Sequence, residues 1–112
     1  HGRAVQRQAA PYAAIRRVND KLKGWIDDAM AKNDPGPMTG REAEATRARV
    51  VEQVRAEVKP LVEAEIENSL RDAGLEEAVL DKKTREAEVK KIYDRFGVEK
   101  MIRKDVEKRL AK

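Results

Sequence analysis

Apolar residues recur along this chain at steps of three and four, the spacing that lines one side of an α-helix. Ile15, Val18, Leu22, Trp25, Ile26 and Met30 make one such stripe. It predicts a first helix over 11–31, behind a basic lead-in at residues 1–10 that carries Arg3 and Arg7. Pro11 suits a first helical turn, where its missing N–H removes no hydrogen bond. Val50, Val54, Val58, Val62, Ile66 and Leu70 follow at strict steps of four and predict a long helix over 40–73. Four residues advance about 400° on a helix of 3.6 residues per turn, so this row turns about 40° per step and sweeps roughly 200° in all. One flat neighbour does not cover such a row. Either the helix is buried on different sides along its length, or Pro60 bends it and resets the register. An interior proline removes a backbone hydrogen bond and crowds the preceding turn. The expectation is a helix kinked near Pro60, or two helices meeting at Lys59–Pro60.

Leu75, Ala78, Val79 and Leu80, then Val89, Ile92 and Phe96, predict a third helix over 75–96. Between these two groups "DKKTRE" has no large apolar residue. We read it as a solvated stretch of one helix, with a break capped by Asp81 as the alternative. Gly97 ends this segment, and Val98, Met101, Ile102, Val106 and Leu110 form the face of a fourth helix over 98–111. Glu86–Lys90, Glu99–Arg103 and Asp105–Arg109 are spaced to support the last two helices by tenths of a kcal/mol each. No stretch alternates with period two. The fold class is all-α: one domain over 1–112, a four- to five-helix bundle or an elongated helical array.

The first two helices are joined by "NDPGPMTGRE", with two prolines and two glycines between Pro35 and Gly40. Residues 32–39 read as a fairly rigid Pro/Gly connector. Thr39 and Glu42 have the T-x-x-E spacing of a capping box, in which the hydroxyl takes an orphan N–H and the carboxylate reaches back to the cap's own amide. Gly74 is placed to end the long helix in a left-handed conformation. No Lys-Ser/Thr follows Gly40, so the loop is not a P-loop. Glu42 and Glu44 put negative charge where an anion would otherwise sit.

Composition narrows the function classes. Charged residues make up 41% of the 112, yet the signs are mixed, so folded helices with charged outer faces fit better than disorder. A core built largely of Val and Ala is thin for a small domain, which favours a protein partner or self-association. With no cysteine, a single His at position 1 and a single Ser inside a helix, thiolate sites and a Ser-His-Asp arrangement are excluded. Asp27, Asp28 and Asp34 lack the spacing and central glycine of an EF-hand loop. Glu63, Glu65 and Glu67 read as a solvated acidic face. The sequence therefore points to no enzyme, no metal and no cofactor. No apolar run is long enough to span a membrane, and no signal peptide is visible. The expected compartment is the cytoplasm or a virion.

Basic residues carry the remaining signal. There are 7 basic against 4 acidic residues over 1–40, 6 against 8 over 41–74, and 12 against 9 over 75–112. Lys100, Lys104, Lys108 and Lys112 form a ridge at four-residue steps with Arg103 beside it, and Arg16, Arg17 and Lys21, with Lys23, make a second patch. Such faces can meet a protein partner or track phosphates. No aromatic or Asn/Gln set accompanies the ridge to read bases.

"GRAVQRQ" is similar to a short helical motif in one class of podovirus portal proteins, and "MTGREAEATR" looks like a helix start in a different portal class. The two occupy equivalent places in those classes, cover under a fifth of the chain, and transfer no residue roles. The chain opens without an initiator Met, and we expect a piece of a longer protein. The functional expectation is a non-enzymatic helical protein-interaction or assembly module of a larger bacterial or phage protein. Its alternative is a helical nucleic-acid-binding domain that contacts the phosphate backbone.

Overall fold

In the computed structural model, which describes residues 2–74 and 82–111, four helices follow one another and no strand is present among the described residues. They are α1 (Gly2–Lys32), α2 (Ala43–Asp72), α3 (Lys82–Arg95) and α4 (Val98–Leu110). The all-α expectation holds. The molecule is elongated, 59 × 24 × 20 Å. That long axis exceeds the roughly 46 Å of a 31-residue helix at 1.5 Å per residue, so the elements are staggered rather than flush.

α1 begins nine residues before Pro11, which therefore stands in the interior of the helix and not in its first turn. Ala10 and Ala14 beside it are buried, so this turn packs against the rest of the chain although proline removes one of its hydrogen bonds. α1 and α2 run antiparallel: Arg17 and Lys21 meet Glu65, while Trp25, Asp28 and Lys32 lie beside Glu57 and Leu61.

α2 continues as one helix through Pro60, not as two helices meeting there. Its rotating row is covered from more than one side. α1 packs along it, α3 lies against Pro60, Glu63 and Glu67, and α4 lies against Glu52 and Arg55. Val54, Val58, Val62 and Ile66 are fully buried, Val50 is almost so, and Leu70 packs half-buried at the end of the row. Full burial of a Val or Ile side chain is worth about 1.5–3 kcal/mol. This row is the main apolar contribution of α2, and it is closed within one chain.

The predicted capping box does not form. α2 starts at Ala43, and no side chain caps it. Gly40 sits at φ +79°, a left-handed conformation incompatible with the first helical position that a Thr39 cap would demand. The chain instead turns once more: Ala43 donates its N–H to the Gly40 carbonyl, and Thr46 to that of Glu42. The connector is organised by Asp34, whose carboxylate accepts the Gly36 N–H at 2.9 Å, an Asx turn that places Gly36 at φ +70°.

Gly74 (φ +77°) and Gly97 (φ +62°) both follow helix ends as expected. Gly74 donates to Arg71 and Gly97 to Asp94, the inner bond of a Schellman-type cap. The Gly97 carbonyl also accepts the Met101 N–H, so a single residue closes α3 and opens α4. Leu75, Ala78, Val79, Leu80 and Asp81, and with them the choice between a continuous third helix and an Asp81 cap, lie outside the described residues. Of the expected helix pairs, Glu99–Arg103 (3.5 Å) and Asp105–Arg109 (3.2 Å) form, whereas Lys90 turns to Asp94 (3.2 Å) instead of Glu86.

Candidate interaction surface

The basic residues singled out in the sequence divide into two groups. Arg17 and Lys21 are committed inside the molecule. Both stand on the side of α1 that faces α2, where Arg17 Nε donates to Glu65 Oε1 at 3.2 Å and Lys21 Nζ to the same oxygen at 2.8 Å. Arg17 Nη1 also donates to Asp72 Oδ2 at 2.7 Å. Glu65 is only 6% exposed, which corrects the expectation of a solvated acidic face. It lies between Val62 and Ser69 on a stretch of α2 that α1 covers, and helical spacing alone did not show which side α1 would take. Lys21, and then Arg17, hold the Glu65 carboxyl below its ordinary value against the opposing effect of burial.

Arg103 is committed as well. It donates to Glu52 Oε2 at 2.9 Å and lies 3.5 Å from Glu99 Oε1. Arg55 of α2 joins the same group, donating to Glu52 and standing 3.4 Å from Glu99. The buried Tyr93 hydroxyl donates to Glu99 Oε2, and the Lys59 ammonium lies 5.3 Å from the Tyr93 ring centroid. Burial, and then the bond to Glu99, push the Tyr93 hydroxyl well above its ordinary value, so it stays a donor. At the other end of α4, Arg109 bridges Asp27 of α1 and Asp105.

Arg16, Lys100, Lys104 and Lys108 are exposed and have no ion-pair partner among the described residues; Lys112 lies outside them. Lys100 and Lys104 line a shallow groove with Arg103, and Asp94, Glu99 and Glu107 line the same groove. Its charge is balanced rather than basic. Arg16 stands apart on α1 and does not join this ridge. No group of His, Asp and Glu able to hold a metal ion is present among the described residues, and no described helix is long and apolar enough to cross a membrane.

Two large apolar side chains are substantially exposed among the described residues, Tyr12 at 53% and Leu61 at 44%. Tyr12 is tied down: its ring meets Phe96 edge-on at 5.5 Å, and Arg95 donates to its hydroxyl at 2.9 Å while lying over both rings. Leu61 borders a groove between α1 and α2 with Trp25, Asp28, Lys32 and Glu57. Trp25 is half-buried against the core. Leu61 escaped the sequence reading because it stands one position off the valine row.

No known family model matches the chain, and neither a curated protein nor a solved structure matches it.

Proposed function

We infer that this chain is a non-enzymatic helical interaction or assembly module of a larger protein, of bacterial or phage origin, and that it docks through helix faces. The observation that carries this reading is the fate of the basic residues. Arg17, Lys21 and Arg103 are spent on intramolecular carboxylates, and Lys100 and Lys104 share their groove with Asp94, Glu99 and Glu107. A surface that tracks phosphates concentrates free cations and keeps carboxylates away. The protein-docking reading is therefore stronger than the nucleic-acid one.

The alternative rests on Lys100, Lys104 and Lys108, which remain exposed. Fluorescence anisotropy with a labelled DNA or RNA duplex at low salt separates the two. We expect no binding at low micromolar protein. Binding that falls steeply with added salt and disappears in Lys100→Glu/Lys104→Glu/Lys108→Glu would establish the nucleic-acid reading instead.

A further inference from the structure

Among the described residues, Arg17, Arg55, Arg85, Arg103 and Arg109 each reach from one helix to another, and each ends on a carboxylate. Arg95 differs. It crosses from the end of α3 to α1 and ends on a neutral group, the Tyr12 hydroxyl at 2.9 Å. Its guanidinium lies 5.2 Å from the ring centroids of both Tyr12 and Phe96. Arg95 is exposed and has no ion-pair partner among the described residues. Asp94 beside it is taken by Lys90 at 3.2 Å, and Glu99 by the Tyr93 hydroxyl. On α1, no Asp or Glu precedes Asp20 in the sequence, which stands two helical turns past Tyr12, about 12 Å along the axis. Arg16, one turn past Tyr12, is exposed and also has no ion-pair partner among the described residues.

A guanidinium carries five N–H donors and no acceptor, and one of these donors serves Tyr12. The Tyr12 oxygen accepts that bond, so its own O–H is free to donate. The corner where α3 meets α1 thus presents donors and uncompensated positive charge. Two rings hold the guanidinium before anything binds, so it loses little freedom on pairing. We propose that this corner docks an acidic segment of a protein partner. A carboxylate of that segment takes free N–H groups of Arg95 and the Tyr12 O–H, and an apolar side chain next to it covers the Tyr12 ring, which is 53% exposed. This deepens the docking reading and rests on it. Charge selects the occupant: an acidic segment meets no unpaired carboxylate at the corner, whereas a basic one is opposed by Arg95 and Arg16. Tyrosine and arginine are also the side chains that contribute most when a partner covers them.

NMR titration of the nitrogen-15-labelled 112-residue chain tests this. The probe is a twelve-residue glutamate peptide with leucine at every fourth position, and the same peptide with glutamine in place of glutamate is the control. We expect the Arg95 side-chain Nε–H and the Tyr12 and Phe96 amide signals to move with the glutamate peptide and to stay in place with the control. Arg95→Gln should weaken binding at least about fivefold. Tyr12→Phe should weaken it about twofold, and Lys100→Gln/Lys104→Gln/Lys108→Gln by less than that. Circular dichroism checks that each variant keeps its helicity. If Arg95→Gln loses it, the Arg95 Nε–H signal of the wild type decides, since a peptide bound elsewhere leaves it in place. No binding at millimolar peptide, or movement centred on the α4 lysines, overturns the proposal. A DNA duplex that moves the corner signals when the peptide does not also overturns it, and removes the protein-docking reading with it. Failure of both peptide and duplex removes this corner alone.

Discussion

Two of the ionic junctions between helices differ in burial. Near the C-terminal end of α2, Arg17 and Lys21 converge on Glu65, which is 6% exposed. Near its N-terminal end, Glu52, Arg55, Glu99 and Arg103 form a network whose members include side chains as open as Glu52 at 53% and Arg103 at 41%. The chemistry is the same and the consequences are not. A carboxylate removed from water depends on its cations, because it has lost the solvent that would otherwise stabilise its charge. An exposed carboxylate that loses a partner is taken up by water, and the pair contributes little. The first junction fixes how α1 meets α2. The second is a surface fastening for α4, whose position rests on Val98, Ile102 and Val106, all fully buried.

Removing both cations from the buried junction should have the largest effect. In Arg17→Met/Lys21→Met, Glu65 stays between α1 and α2 with nothing to balance it. We expect a loss of about 2–3 kcal/mol in urea denaturation at neutral pH, below the 3–5 kcal/mol of a fully enclosed pair because both cations reach the surface. The loss should shrink on acidification, since protonating the carboxyl removes the uncompensated charge. An equal loss at all pH values would place the damage in packing rather than in charge.

Glu65→Gln should cost less, about 1–2 kcal/mol, because Arg17 and Lys21 can turn to water when their acceptor weakens. The sign of its pH dependence follows from the lowered carboxyl value in the folded chain. The stability contributed by ionised Glu65 is complete above its unfolded value, near 4.5, and is lost as pH falls through the lower folded value. The gap between the wild type and Glu65→Gln should therefore be constant at neutral pH and close below that range. A gap that widens on acidification would contradict this account.

The smallest effect belongs to the exposed network. Arg103→Ala should shift the thermal midpoint by about 2 °C or less, as surface ion pairs do. A larger shift would mean that the network positions α4, and the contrast between the two junctions would fall.

Part of this was readable in the residues. The stripes at steps of three and four located all four helices because amphipathic spacing survives any choice of neighbour. The rotation of the valine row, a matter of geometry, left two outcomes open, burial on different sides or a reset at Pro60, and packing decided for cover from more than one side. Thr39 misled because a capping box is a pattern of residue types. It forms only if the next residue takes helical angles, and Gly40 does not. Glu65 misled for a different reason: Glu63 and Glu67 make an acidic run with it in sequence, but helical positions two apart point about 200° apart. One of the three faces α1 while its neighbours lie nearer the surface. The basic candidates were sorted in the same way. Charge is a property of the residue, but whether a cation is free depends on the carboxylate that the fold brings to it. Glu65 lies 48 positions from Arg17, and Glu52 lies 51 from Arg103.

By itself the sequence determined the all-α class, the ends of the helices at Gly74 and Gly97, and the rotation of the row from Val50 to Leu70 around its helix. Each follows from local geometry: helical periodicity, the conformational freedom of glycine, and the pitch of the helix. The tertiary structure decided which charges are spent and which are offered. Ion pairs between residues so far apart form only after α1 and α4 have taken their places on α2. Packing also left Leu61 and Trp25 bordering one open groove between α1 and α2, because α3 and α4 cover α2 elsewhere.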